Sequence, residues 1–319
     1  MTVSLFKALS DETRLRLVRI LLKHRLSVNE LVTILEMGQS RISRHLRILT
    51  DAGLLTSERD GLCVFYQADK EGENQSFLAA ISPFLQDLPE TAHDEEHTEA
   101  LLEKKRSKST VFFNDIAKDW DNLNKEILGD FDLPGLLCAA MPDNCRLAVD
   151  LGCGTGTVLR QMLTKSQGVI GVDISSGMLD ACRQNLSDLT DAGKNVSLRI
   201  GELEHLPLRD HEAEFASVNL VLHHLQNPEL ALSEIRRILS PTGRLFIADF
   251  EKHNDEYMRE RYGDLWLGFD RLKLAAKLRE AGFTRTIVHG HKVNRGLTLL
   301  LVTSYVSSPI TLQPSNQEN

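Results

Sequence analysis

Val149-Asp150-Leu151-Gly152-Cys153-Gly154-Thr155-Gly156 decides how the second half of this 319-residue chain is read. An apolar run precedes it and a helical pattern follows it, so the glycines sit in a strand-to-helix turn. No Gly-Lys-Ser/Thr follows, which excludes an ATPase phosphate loop. The spacing G-x-G-x-G is tighter than the G-x-G-x-x-G of dinucleotide folds. Such a turn lets backbone N–H groups and bare Cα atoms approach a small zwitterion closely. Working outward, strand-like runs at 147–151, 169–173, 196–200, 216–221 and 243–249 alternate with helical segments. That alternation predicts a parallel, doubly wound α/β sheet. Runs at 284–288 and 297–303 flank a polar turn and predict a terminal antiparallel hairpin. Asp173 ends the second run in Gly-Val-Asp-Ile-Ser, where its carboxylate can accept two hydrogen bonds from ribose hydroxyls.

Composition narrows the class. Hydrophobic residues make up 42% and charged residues 26%, as in ordinary globular proteins. No run approaches the ~18 apolar residues of a membrane helix. Charged residues appear by Asp11, Glu12 and Arg14, so no secretory leader is expected. Five cysteines without a C-x-x-C pair argue against a disulfide scaffold or a structural zinc site, and a reducing cytoplasm is expected. The net charge of -8 conceals a local pattern. Residues 38–50 carry Arg41, Arg44 and Arg47 and no acid, and DNA binding needs a basic face rather than a basic protein.

The first ninety residues have a different grammar. Residues 5–22 fit an amphipathic helix pair or one broken helix, with a cap at Ser10-Asp11-Glu12. Ser27-Val28-Asn29-Glu30 fits a capping box. The helix it opens ends near Glu36, and Met37-Gly38-Gln39 forms a break in which Gly38 suits a positive φ. Ser40 opens the next helix, which ends near Ala52-Gly53. Asp60-Gly61 between β-prone runs predicts a two-residue hairpin. On residues 40–49, Ile42, Leu46 and Leu49 share one face. Ser40, Arg44 and Arg47 share another, with Arg41 and Ser43 nearby and Arg59 beside the hairpin tip. That surface suits a major groove, where arginine donates to guanine edges and phosphates. Residues 76–88 look helical, interrupted at Pro83. Residues 93–108 predict a charged connecting helix and 111–128 a further one. His93, Glu96 and His97 lie in it, and H-D-E-E-H-T-E is read as a solvated face. No metal site is expected.

Over about residues 3–90 the chain resembles the ArsR/SmtB-type winged-helix repressors. The resemblance rests on L-F-K-A-L-S-D-E-T-R-L-R-L-V (5–18), S-R-I-S-R-H-L-R-I-L-T-D-A-G-L-L (40–55) and R-D-G-L-C-V-F-Y-Q (59–67). It implies a homodimer, paired through the first and last helices of the domain, on a palindromic double-stranded operator. Metal-sensing relatives place cysteines before the recognition helix. Here that segment is N-E-L-V-T-I-L-E, so thiolate sensing of arsenic or cadmium there is excluded.

Over about residues 110–305 the chain resembles the class I S-adenosylmethionine methyltransferases, particularly the small-molecule branch. V-D-L-G-C-G-T-G, the strand-end Asp173, G-E-L-E-H-L-P-L (201–208), V-L-H-H-L (221–225) and R-R-I-L-S-P-T-G-R-L (236–245) match in order. The resemblance implies that Gly152, Gly154 and Gly156 line the methionine moiety and that Asp150 orients its amino group. It places Asp173 on the ribose, Glu202 and the Leu203 amide at the adenine, Ile174 and Met178 around that ring, and Asn219 at the methionyl part. Many relatives have Asp where Glu202 stands. F-F-N-D-I-A-K-D-W-D (112–121) resembles the lid of this fold, so Phe113 and Trp120 close over the ligand, unless Trp120 is core. His223 and His224 follow the fourth strand, where a histidine can serve as general base toward an acceptor. Cys153 is read as small packing. Arsenite methylation needs thiols at the acceptor and is not expected, since the last cysteine is Cys182.

The expected architecture is thus two-domain: a winged helix-turn-helix at 1–90, a helical connector and lid at 91–120, a Rossmann-like seven-stranded methyltransferase fold at 121–305, and a disordered tail at 306–319. The expected role is a cytoplasmic transcriptional regulator whose second domain binds S-adenosylmethionine or S-adenosylhomocysteine and modulates operator binding. The alternative is an active methyltransferase acting on a small molecule.

Overall fold

The computed structural model describes residues 2–70, 72–86 and 88–307. The expected tail lies, from residue 308 on, outside the described residues. The chain divides into two compact units, Met1–Lys108 and Ser109–Asn319.

The first unit opens with α1 (Thr2–Leu9) and α2 (Glu12–Lys23), two helices rather than one. Asp11 caps α2 by accepting from the Arg14 amide. After β1 (Leu26–Ser27), α3 (Val28–Leu35) starts with the predicted capping box between Ser27 and Glu30. The break before α4 (Gln39–Asp51) differs from expectation in detail. Glu36 takes the left-handed conformation (φ 52°), while Gly38 is extended at φ -63° and caps α4. Ile42, Leu46 and Leu49 are fully buried and join Leu17, Leu21, Leu31 and Ile34 in one core. His45 is buried with them, 3.7 Å from the cap Asp11, and so ties α4 to the start of α2.

The wing is β2 (Leu55–Asp60) with β3 (Cys63–Ala68), and β1 completes a three-stranded antiparallel sheet. Asp60 pairs with Cys63, so the two-residue loop is Gly61-Leu62, one position beyond the expected Asp60-Gly61. Gly61 supplies the positive φ (60°) that the first loop position of such a turn requires. Asp60 is the last residue of β2, and its buried carboxylate lies 4.0 Å from Arg25. Then come α5 (Gln75–Ile81) and α6 (Thr91–Ile116). The latter is one 26-residue helix, where the sequence suggested two. Its Asp94 is fully buried against Arg16 (2.6 and 3.0 Å) and Arg19 (3.1 Å) of α2.

The second unit begins with α7 (Trp120–Leu128) and α8 (Leu133–Ala140). It then alternates β4 (Cys145–Leu151), α9 (Thr157–Met162), β5 (Ser166–Asp173), α10 (Ser176–Asn185), α11 (Ser187–Asp191), β6 (Asn195–Ile200), β7 (Ala213–Asn219), α12 (Pro228–Ile238) and β8 (Leu239–Phe250). It closes with α13 (Tyr257–Tyr262), α14 (Arg271–Glu280), β9 (Arg285–Lys292) and β10 (Thr298–Tyr305). The seven strands order as β6-β5-β4-β7-β8-β10-β9. The first five run parallel, and β10 is antiparallel to both neighbours, as expected for the terminal hairpin. One apolar core lies on each face of the sheet. The strand order reverses at β4, flanked by β5 and β7, which opens a crevice above their carboxyl ends.

Candidate functional sites

Of the first unit's helices, α4 presents a polar face of the expected make-up. Ser40, Arg41, Ser43, Arg44 and Arg47 are all exposed, while Ile42, Leu46 and Leu49 point inward. Arg59 is also exposed, its Nε donating to the Gly61 carbonyl at the wing tip (3.1 Å). Arg47 has an i,i+4 contact with Asp51 at 3.8 Å, too exposed to hold it away from a phosphate. The two connector histidines lie 4.0 Å apart between ring centroids, tilted by 50°, and it is Glu36, not Glu96, that joins them.

In the second unit the parallel strands deliver their terminal residues to one edge. The turn after β4 is glycine for steric reasons. Gly152, Gly154 and Gly156 have φ of 74°, 49° and 86°. A Cβ at Gly152 would meet Val221 at 2.3 Å, and one at Gly156 would meet Cys182 at 2.5 Å. The amides of this turn are largely committed within the protein: those of Gly152 and Cys153 donate to the Val172 carbonyl, and that of Gly154 to Asp173 (2.9 Å). The loop therefore presents chiefly bare Cα atoms at this edge. Cys153 is buried with its thiol pushed up, which leaves it a packing residue.

Asp173 ends β5 and accepts from the Gly154 and Ser175 amides, one on each oxygen (2.9 and 2.8 Å). Each oxygen retains a lone pair for a hydroxyl. Burial raises its carboxyl above the usual range against these bonds. Asp150, near the end of β4, is 2% exposed and pushed up to about 7 by burial. Its Oδ1 accepts from Ser217 Oγ (2.5 Å) and Asn219 Nδ2 (3.1 Å), both on β7. Asn219 Oδ1 is buried without a hydrogen bond, and Leu220, next in the chain, holds a left-handed φ of 56°. Such strain gathers at ligand sites. Ile174 is half-buried and Met178 buried. Leu203 is buried and Glu202 half-buried just past β6, where Glu202 bridges to His205. Both follow the carboxyl end of β6, two strands away from β4.

Residues 112–121, the segment expected to be a lid, reach the same edge. Trp120 is half-buried with its indole against Gly154, since a Cβ there would lie 3.3 Å from Nε1. Asp121 accepts from Thr155 Oγ1 (2.6 Å). Asn114 Oδ1 accepts from Ser175 Oγ (2.7 Å) and the Gly177 amide (3.0 Å). Sequence reasoning passed over Asn114, Asp121 and Ser217. Their signal was position: two fall inside the lid motif already singled out, and one faces Asp150 across the sheet.

The two histidines differ sharply. His223 is 2% exposed and donates from Nδ1 to Asp249 Oδ1 (2.7 Å), while its Nε2 lies 3.5 Å from Asp264. Burial opposes its charge, but the two carboxylates outweigh burial and raise it to about 9. The two carboxylates therefore favour the charged form of His223, which makes it the weaker candidate of the pair for a base. His224 is half-buried, packs edge-on against Phe113 (4.9 Å), and is held well below its ordinary value by burial and by the charge on His223. Asp249 stands one residue before the end of β8, much as Asp173 ends β5, the same sequence signal left unused. Asp264 carried no signal.

Comparison with known proteins agrees with this geometry. The family model described as a bacterial regulatory protein of the arsR family matches residues 11–57, and one described as a methyltransferase domain matches 149–247. An uncharacterized 37.1 kDa protein in transposon TN4556 of Streptomyces fradiae is 37% identical over 105 residues, covering 32% of this chain and 29% of that one. The demethylmenaquinone methyltransferase of Corynebacterium kroppenstedtii is 29% identical over 154 residues, covering 47% and 63%. The chain thus spans less than two thirds of either relative's length. One chain of the complex that holds the Haloferax volcanii Trm112 methyltransferase activator superposes with a TM-score of 0.50 at 20% identity, covering 61% of this chain and 98% of that one, which shows the fold alone. No helix among the described residues is long and apolar enough to cross a membrane. The chain therefore carries a segment that matches the arsR-family regulatory model, followed by one that matches the methyltransferase-domain model on a Rossmann-like, mostly parallel sheet.

Proposed function

We propose that the protein is a homodimeric, cytoplasmic transcriptional regulator whose second unit binds S-adenosylmethionine or S-adenosylhomocysteine and thereby changes operator affinity. The observation that carries the reading is the completeness of two sites in one chain. The exposed Arg41, Arg44 and Arg47 face stands on α4, and the Asp150–Asn219 and Asp173–Gly154 clusters stand at one sheet edge. The orphaned Asn219 Oδ1 beside Asp150 suits the ammonium group of the methionyl end. The open lone pairs of Asp173 suit the ribose hydroxyls. Glu202, Leu203, Ile174 and Met178 surround the adenine, and Phe113 and Trp120 exclude water from the sulfonium. Bound S-adenosylmethionine supplies an electrophilic methyl group; the chain's own residues position it.

Turnover on a small acceptor is the second reading. It is favoured by His224, a neutral imidazole in contact with the lid residue Phe113. Linkage separates the two: a sensor must bind its ligand with different affinity in the DNA-competent and incompetent states. The test is operator binding with saturating S-adenosylmethionine, with saturating S-adenosylhomocysteine and with neither. The regulator reading requires a shift that Asp173→Ala abolishes while apo-level DNA binding remains. Identical affinities in all three conditions, with methylated product formed from cell extract, would establish the enzyme reading instead.

A further inference from the structure

Asp264 is 3% exposed, yet neither carboxylate oxygen takes part in a hydrogen bond. A buried carboxylate without hydrogen bonds is costly, and the charges of His223 and Arg259 nearby offset only part of that cost. The segment that carries it, between α13 and α14, is pinned to the histidine pair: the Leu265 and Trp266 amides both donate to the His223 carbonyl (3.0 Å each). His223 Nε2 lies 3.5 Å from Asp264 Oδ1. His223, His224 and Asp264 each offer one ligand atom, all within 4.8 Å of one another. A tetrahedral ion with bonds of about 2.0–2.1 Å keeps its ligands roughly 3.3 Å apart, so the His223–Asp264 spacing needs almost no adjustment.

The surroundings support the same role. The far nitrogen of His223 donates to Asp249 (2.7 Å), which is itself held by the His223 and Phe250 amides (3.3 and 2.7 Å). A carboxylate behind an imidazole fixes its tautomer and aims the other nitrogen, as around metal-ligating histidines. His224 Nδ1 lies 3.4 Å from the Gly263 carbonyl, which leaves its Nε2 for a ligand.

We propose that His223, His224 and Asp264 form a binding site for a divalent first-row transition ion, with Asp249 positioning His223. Two imidazoles and one carboxylate suit such an ion and leave coordination positions open for an oxygen ligand. A hydroxyl- or carboxylate-bearing acceptor has that chemistry. This assignment of the open positions rests on the second unit acting as a transferase; binding of the ion does not. Phe113 links the two regions, touching His224 at 4.9 Å and Trp120 at 5.8 Å between ring centroids.

The test uses the full chain in a His93→Ala/His97→Ala background, so that the Glu36–His93–His97 group adds nothing to the count. The protein is stripped with chelator and titrated with zinc, and separately with cobalt, without cofactor or acceptor. One equivalent per chain is expected, with a higher melting temperature and a visible cobalt spectrum of a low-coordinate site. Asp264→Asn and His224→Gln should each lower affinity at least tenfold, and Asp249→Asn about 10- to 100-fold. If Asp264→Asn does not fold, the His224→Gln comparison decides. No stoichiometric binding, or unchanged affinity in a folded Asp264→Asn or His224→Gln variant, overturns the site and leaves a buried histidinium between two carboxylates. Because neither cofactor nor acceptor is present, that failure is distinct from a failure of methyl transfer.

Discussion

Asp150 offers the sharpest test of how the second unit meets its ligand. The side chain is 2% exposed, its carboxyl stands at about 7 rather than 3.8, and Ser217 and Asn219 both donate to Oδ1. The folded carboxyl is raised, so the folded chain keeps a proton that the unfolded chain loses. Stability is therefore fully present below pH 4, falls as pH rises toward 7, and levels off above it. At 1.36 kcal/mol per unit, a rise of about three units sets that loss at ~4 kcal/mol as an upper order of magnitude. An ammonium brought beside the carboxyl reverses the balance, because it favours the ionised form. About a tenth of the groups are ionised at pH 6 and about three quarters at pH 7.5, so apparent affinity should rise about eightfold between them. Asp150→Asn keeps the shape and the acceptor oxygen but removes the charge. Loss of a charge-assisted bond is worth ~1.5–3 kcal/mol, a ten- to hundredfold weaker Kd. Calorimetric titration with S-adenosylhomocysteine at both pH values measures each effect, and melting curves report the stability arm. The Asn variant should bind weakly and without pH dependence, and its melting temperature should vary less between pH 5 and 7. Wild-type affinity flat from pH 6 to 7.5, together with undiminished binding by Asp150→Asn, would refute the ammonium contact.

Two further outcomes concern the first unit. Arg44→Ala and Arg47→Ala, both on the exposed face of α4, should leave melting unchanged while weakening operator binding. Removing an arginine from a base edge costs ~1–3 kcal/mol, and removing one from a phosphate lowers the salt slope by about one. A folded double variant with normal affinity in a mobility-shift assay would remove α4 from the interface. Asp94→Ala removes the fully buried carboxylate that Arg16 and Arg19 share and leaves Arg19, 3% exposed, only Glu95 and the Thr91 carbonyl. Breaking such a buried pair costs ~3–5 kcal/mol, so the first unit should melt many degrees lower, and a denaturation midpoint equal to wild type would show that α6 is not anchored there.

What the sequence disclosed, and what it withheld, follows from where each signal resides. Ile42, Leu46 and Leu49 recur at helical spacing because one face of α4 is buried, and all three are 0% exposed. Asp150, Asp173 and the glycine turn announce themselves through the apolar strands that end in them. By contrast, residues 91–116 carry no apolar stripe, so periodicity offered no reason to join them into one helix. Buried ion pairs from Asp94 to α2 anchor its start, and Asn114 docks its end on the turn before α10. Gly38 looked like the left-handed residue because that conformation strains glycine least, yet Glu36 takes it where α3 ends, and Gly38 instead opens α4. The histidine pair shows the limit most clearly. V-L-H-H-L marks two imidazoles but cannot say that β8 places Asp249 behind the first or that the 263–266 segment sets Asp264 in front of it. Those partners lie 26 and 41 residues away along the chain, and together with burial they shift two adjacent, chemically identical side chains in opposite directions, His223 above its ordinary value and His224 below. A role fixed by distant partners is therefore legible only once the sheet has brought them together.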